Sequence, residues 1–198
     1  MANGPSIHHV AITSEFGRIE HVRSLTWPEV KEIWRNNEEN LEHWKKYWES
    51  QGHNSWEEWR KKSFWRFNVA RADWALYKFT DPSESIPRLK PGLFRGWKKL
   101  FYGNRIYLSF AELMENQDVI NYPPLQEFRG FLQKLDQTTI IGLYDSYENI
   151  TVIEGMHRCA AYTVSMHQGQ PLPTQFYIAL GLGKERWLSR MLYGLSFV

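Results

Sequence analysis

Between Trp27 and Trp48 the large apolar side chains recur at spacings of three, four and seven: Trp27, Val30, Trp34, Leu41, Trp44 and Trp48. That recurrence is one face of a helix. Thr26-Trp27-Pro28-Glu29 supplies its start. Thr26 can cap, Glu29 completes a capping box, and Pro28 sits in the first turn, where its missing N–H costs little. Gly52 is placed to end the helix. Ser55-Trp56-Glu57-Glu58 repeats the capping pattern, and Trp56, Trp59, Phe64, Phe67, Trp74 and Tyr77 supply the next apolar stripe. Asp81-Pro82 stops it. Residues 26–80 are therefore expected to form a helical hairpin joined by a short loop. Ahead of it, residues 7–12 and 18–22 fit a short β-hairpin around Ser14-Glu15-Phe16-Gly17.

The pattern changes after residues 81–92, where three prolines and two serines mark a linker. The spacing then predicts a strand over 105–110, a short helix or turn over 111–116, and a break at Tyr122-Pro123-Pro124. A helix follows over 125–135, with Leu125, Phe128, Phe131, Leu132 and Leu135 on one side. Strands are expected over 139–144 and 149–153, with a turn at 145–148 between them. A helix over 156–167 closes near Gly169, and a strand over 175–180 and a last helix over 185–193 complete the chain. This half reads β, α, β, β, α, β, α. Two regions are expected: a helical, tryptophan-rich one over 1–92 and a mixed one over 93–198.

Composition sharpens that division. Ten tryptophans are present in 198 residues, and eight lie between Trp27 and Trp74. The net charge of +2 gives no reason to expect strong nucleic-acid or membrane binding. Cys159 is the single cysteine, which excludes an internal disulfide framework and a cysteine-rich zinc site. A reducing, cytoplasmic compartment fits best. No basic segment with an apolar run opens the chain, and no stretch approaches the roughly 18 apolar residues of a membrane span. The histidine spacings (His8-His9, His43, His53, His167) suit no metal, and no structural metal is expected.

Candidate chemistry collects at residues 150–162. Ile150-Thr151-Val152-Ile153 is a β-branched run, Glu154-Gly155 follows, and Met156-His157-Arg158-Cys159-Ala160-Ala161-Tyr162 begins a helix at once. The first N–H groups of a helix have no internal partner, and the helix dipole adds partial positive charge there. Gly155 removes a side chain that would block close approach. Arg158 can give a planar, paired set of donors to a phosphate, and His157 can exchange a proton near neutral pH. Together they suit an anion. The same residues also fit a plain turn, with His157 as a cap and Arg158 paired to a surface carboxylate.

The stretch Ile140-Ile141-Gly142-Leu143-Tyr144, the turn, the strand to Ile153, Glu154-Gly155-Met156-His157-Arg158, Ala160-Ala161 and the strand after Pro173 together resemble the ParB/sulfiredoxin-like fold over about residues 104–180. In that superfamily a strand delivers a Gly-x-His-Arg or Gly-x-Arg-Arg motif onto a helix start. Residues 106–113 look like its opening strand and turn. The expected class is thus α+β, a ParB/sulfiredoxin-like mixed sheet core carrying an N-terminal tryptophan-rich helical hairpin.

Several activities share this fold. Sulfiredoxins place a cysteine immediately before the His-Arg pair. Here that position is Met156, and Cys159 lies roughly 200° away around the helix. Partition members add a downstream DNA-binding domain, for which a chain ending at Val198 leaves no room. The resemblance to free-serine kinases implies ATP or ADP with Mg²⁺ and phosphoryl transfer to a small molecule. Gly155, Met156, His157 and Arg158, with Arg105 from the first strand, would hold the nucleotide. Glu112, Glu154 and His157 are the candidate catalytic residues, either glutamate serving as base or magnesium ligand.

The tryptophan-rich half admits other readings. Trp44-Lys45-Lys46-Tyr47-Trp48 and residues 59–66 interleave cations with aromatics, as single-stranded nucleic-acid surfaces do. A nucleic-acid-binding or nuclease-like module would join Lys45, Lys46, Arg60, Lys61 and Lys62 to Arg158 in one basic face. Glu38, Glu39, Glu42, Glu49, Glu57 and Glu58 cancel much of that field. A non-catalytic interaction protein would instead expose an apolar tryptophan patch. Packing against the second half, or over its pocket, is the plain expectation.

Overall fold

Residues 137–144 and 175–182 are two apolar, β-rich runs, and in the computed structural model of the chain they lie side by side. The structure describes residues 19–103, 105, 108–144 and 149–182. The expected elements over 7–12, 145–148 and 185–193 lie outside the described residues. Strands β1 (Ile19–Leu25), β2 (Asp73–Phe79), β3 (Lys90–Pro91), β4 (Gln137–Tyr144), β5 (Ile150–Glu154) and β6 (Gln175–Leu182) form one mixed sheet in the order β1-β2-β6-β4-β5-β3. β4 runs parallel to β6 and antiparallel to β5. β2 lies antiparallel to both β1 and β6. Ile140, Ile141, Leu143, Ile178, Ala179 and Leu180 are all buried, the near-continuous burial of strands covered on both faces.

The longer helices are α1 (Trp27–Glu38), α2 (Glu42–Ser50), α3 (Trp56–Phe67), α4 (Pro123–Leu132) and α5 (Met156–His167). Glu29 accepts from Thr26 N at 2.7 Å and Thr26 Oγ1 at 2.8 Å at the start of α1. Ser55 Oγ accepts from Glu58 N at 3.2 Å at the start of α3. The tryptophan stripes pack chiefly on aromatic neighbours. Trp34 and Trp56 each meet Phe64, and Trp27 stacks on Trp74 at 6.1 Å.

Four expectations are corrected. The helical hairpin does not run to residue 80. Asn68 adopts the left-handed conformation at φ 51° and ends α3, and residues 73–79 become strand β2. Trp74 and Tyr77 fit a helical spacing, but Ala75, Tyr77 and Phe79 also alternate, and all three are buried. Pairing with both β1 and β6 gives the strand reading more partners than an isolated helix end would have. The single helix over 26–52 is two helices that meet at Asn40-Leu41. The polar side chains of the last turn of α1 are drawn inward, Asn37 to β4 and Glu38 to α3. Residues 105–110 are not a strand where described. Ser109 instead caps a helical turn, Phe110–Leu113, through a reciprocal box with Glu112. Pro123 and Pro124 open α4 rather than break the chain, as prolines in a first turn can.

The sheet takes β1, β2 and β3 from residues before 92 and β4, β5 and β6 from residues after 136. Among the described residues no helix is long and apolar enough to cross a membrane.

The join between the two halves rests on a glycine. Trp74 pairs with Gly181 across β2 and β6, and its indole N–H donates to Val69 O at 2.8 Å. A Cβ at Gly181 would lie 2.9 Å from both the Trp74 ring and Leu143 Cδ2. Gly181→Ala should therefore cost about 1–3 kcal/mol by overpacking. Urea unfolding followed by tryptophan fluorescence measures it; an unchanged midpoint would show that the indole is not held there.

Candidate functional site

Every residue of β5 is buried, so the strand delivers Glu154 into the interior. The chain then turns through Gly155 at φ 88°. A Cβ there would lie 2.6 Å from Ile140 Cγ2 and 2.9 Å from Arg158 Nη2. Glycine is required by conformation and by space. α5 begins at once, and Cys159 N donates back to Gly155 O at 3.0 Å.

Arg158 lies one helical turn beyond Glu154 and folds back onto it. Its Nη2 reaches Oε1 at 2.5 Å and Oε2 at 2.7 Å, while Nη1 donates to Thr138 Oγ1 at 2.6 Å. Asn37 Nδ2 donates to Glu154 Oε2 at 2.8 Å and to Thr139 O at 3.0 Å. Glu154 and Arg158 are 6% and 7% exposed. Burial pushes the Glu154 carboxyl above the usual carboxylate range and Glu38 adds to that push, while Arg158 and Asn37 oppose it. Such a pair holds its geometry because removing either partner strands a buried charge.

A second buried pair lies nearby. Arg60 Nε donates to Glu38 Oε2 at 2.7 Å, its Nη2 contacts Glu38 Oε1, and Trp56 Nε1 donates to Glu38 at 2.9 Å. The Arg60 guanidinium lies 3.6 Å over the Trp59 ring. A trace of this pair stands in the chain: Glu38 is four residues after Trp34 and Arg60 four after Trp56. An opposite charge thus falls on each apolar stripe.

These groups border a cleft of about 1040 Å³ between the tryptophan-rich helices, the segment at 94–101, α4 and the start of α5. Its aromatic wall includes Trp44, Trp59, Trp97 and Phe128. His157 is set into that wall. Its ring stacks on Phe128 at 5.3 Å and meets Trp97 edge-on at 5.0 Å and Trp44 at 6.1 Å. Burial first, then His43 and Arg158, pushes its pKa down to about 4. His157 is therefore neutral near pH 7.

The expected site residues separate into two groups. Glu154, Gly155, Met156, His157 and Arg158 all border the cleft. Met156 is buried, with Sδ 3.1 Å from Gly92 N. Glu112 and Arg105 do not border it. The Glu112 carboxylate accepts from Ser109 N at 2.7 Å and Oγ at 2.8 Å, bonds that hold it below the usual carboxylate range. Arg105 pairs with Glu115 at 3.0 Å in solvent. Cys159 is fully buried, and burial raises its thiol pKa. Sequence reasoning missed Asn37, Thr138 and Trp97, and noted the half-buried Arg66 only within the cation–aromatic run at 59–66; the four reach the cleft from four separate segments. No short-range pattern links residues brought together by the sheet. No group of three or more metal-ligating side chains occurs among the described residues.

Two expectations follow. Arg158→Met leaves Glu154 buried and unpaired, and should cost about 3–5 kcal/mol. Adding Glu154→Gln should recover part of that loss in urea unfolding; no recovery would mean the two side chains act separately. The pH dependence has a definite sign. Between pH 6.5 and about 4 the unfolded chain binds a proton that folded His157 refuses. Its stabilising contribution is full above pH 6.5 and falls, by up to about 3 kcal/mol, as pH drops to about 4. His157→Phe should flatten that part of the curve, and equal slopes in both proteins would contradict the assignment.

No family model, curated protein or solved structure matches the chain.

Proposed function

We propose that the protein binds a nucleotide in the cleft, with the base against the aromatic wall. The observation that carries this is the cleft itself: about 1040 Å³, walled by Trp44, Trp59, Trp97 and Phe128 around His157. Pockets for small ligands have this size and mixture of aromatic surface with a few polar groups. An aromatic platform under a base contributes about 1–3 kcal/mol. A neutral, enclosed His157 extends that platform.

Phosphoryl transfer to a small acceptor is the reaction that the ParB/sulfiredoxin-like resemblance implies. Support for it within the cleft is limited to carboxylates. Glu154 is engaged by Arg158 and Asn37. Glu127 borders the cleft with no ion-pair partner among the described residues. Mg²⁺ commonly binds through one or two carboxylates plus substrate phosphates, and Glu127 is the residue that could meet it here. It would supply charge neutralisation between phosphate oxygens.

A nucleic-acid face has less support. Arg60 and Arg158, which such a face requires, are buried in ion pairs, and Lys46 is paired with Glu42 at 2.7 Å.

The test is a titration of ATP and ADP, with and without Mg²⁺, followed by tryptophan fluorescence. Saturable quenching is expected, with Trp44→Leu weakening affinity about tenfold, the equivalent of roughly 1.4 kcal/mol of stacking. Absence of a saturable response to either nucleotide overturns the reading.

A further inference from the structure

We infer that the cleft carries an anion subsite at Arg66 and Arg95, separate from Arg158, and that this is where the phosphates of a bound nucleotide lie. The inference rests on the nucleotide reading of the cleft and moves its phosphates away from the Gly-x-His-Arg motif.

Four arginines border the cleft: Arg60, Arg66, Arg95 and Arg158. Two are committed inside the protein. Arg158 holds Glu154 and Arg60 holds Glu38, each pair buried. The other two have no carboxylate partner among the described residues. Arg66 projects from α3, one turn after Ser63, which also borders the cleft. It makes one long bond, from Nη2 to Leu93 O at 3.3 Å. That bond sets the guanidinium beside the backbone leading into Phe94 and Arg95. Phe67, the next residue, packs on Phe94 at 5.6 Å and fixes the same approach.

The environment of Arg66 asks for an anion. Its Nε is buried with no hydrogen-bond partner. The guanidinium is partly withdrawn from water, and that burial alone lowers its pKa, with no neighbouring carboxylate acting on it. A half-desolvated cation is costly unless an anion compensates its charge. The charge balance agrees. With both ion pairs neutral, Arg66, Arg95 and Glu127 are the remaining charged residues of the cleft. His157 and His43 are both held toward the neutral form by burial. The cleft therefore favours one net negative charge. A guanidinium with free donors in a fork suits phosphate oxygens.

The same geometry explains why Arg158 is not the phosphate ligand. Both oxygens of Glu154 and the Thr138 hydroxyl already receive its donors. Turning it to a phosphate would leave Glu154 buried with Asn37 alone.

The experiment measures adenosine, ADP and inorganic pyrophosphate binding by calorimetry to the wild type, Arg66→Gln and Arg95→Gln. Wild type should bind ADP at least tenfold more tightly than adenosine. Arg66→Gln should abolish that advantage, and Arg95→Gln should reduce it. Adenosine affinity should stay unchanged in both, which also shows that the variants are folded. An ADP advantage that survives both substitutions overturns the subsite and leaves the nucleotide reading standing. Pyrophosphate binding that is lost in Arg66→Gln, with adenosine not bound at all, keeps the subsite and overturns the nucleotide reading. No binding of any of the three probes to the wild type overturns both.

Discussion

The buried pair between Glu154 and Arg158 is the interaction on which the rest of the arrangement depends. It draws four elements to one point: the end of β5, the first turn of α5, Thr138 and Thr139 on β4, and Asn37 at the end of α1. Two charges taken out of water are tolerated only when geometry and additional hydrogen bonds satisfy them. Here Glu154 accepts from both Arg158 and Asn37, and Arg158 donates to Glu154 and Thr138. Gly155 is the residue that lets the turn close so tightly, because a Cβ would strike Ile140 and the Arg158 guanidinium. The glycine makes room for the protein's own arginine.

That commitment shapes the cleft above it. An arginine whose two Nη groups are engaged by a carboxylate and a hydroxyl has few donors left for a ligand. His157, beside it, is enclosed by Phe128, Trp97 and Trp44 and kept neutral. The strand-to-helix turn therefore forms a nearly neutral floor. The aromatic surface of the cleft comes from the tryptophan-rich helices, the segment at 94–101 and α4, and the uncommitted positive charge from Arg66 and Arg95. The tryptophans serve two roles along one chain. Trp34 and Trp56 are buried core, while Trp44 on α2 and Trp59 on α3 keep partial exposure to the cleft.

The amino-acid pattern made much of this visible. Residues 156–167 read as a helix and form one with the same bounds, since a β-branched strand, a glycine and an alanine-containing helical run all agree there. The two capping patterns marked the starts of α1 and α3 correctly. Strand β2 was hidden because Trp74 and Tyr77 satisfy a helical spacing of three while Tyr77 also belongs to the alternation Ala75-Tyr77-Phe79, and only its partners β1 and β6 decide between them. Ser109 and Glu112 form the capping box that opens the turn at Phe110–Leu113, a signal that the expected strand over 105–110 overlooked. At the site, the motif residues were legible as a group; the plain alternative gave Arg158 a surface carboxylate, and its partner in the structure is a buried one. That the carboxylate is Glu154, four residues earlier, follows from the helical turn that opens at Gly155. Asn37, Thr138 and Arg66 could not be placed from the chain alone, because long-range sheet and helix contacts bring them to the cleft.

Arginine side-chain NMR during an ADP titration tests the division between committed and available arginines most directly. The Nε–Hε resonance of Arg158 should stay fixed, with its guanidinium protons protected from exchange, while the resonances of Arg66 and Arg95 shift to saturation. A shift and loss of protection at Arg158, with Arg66 unmoved, would contradict the account and return the phosphate to the Gly155 turn.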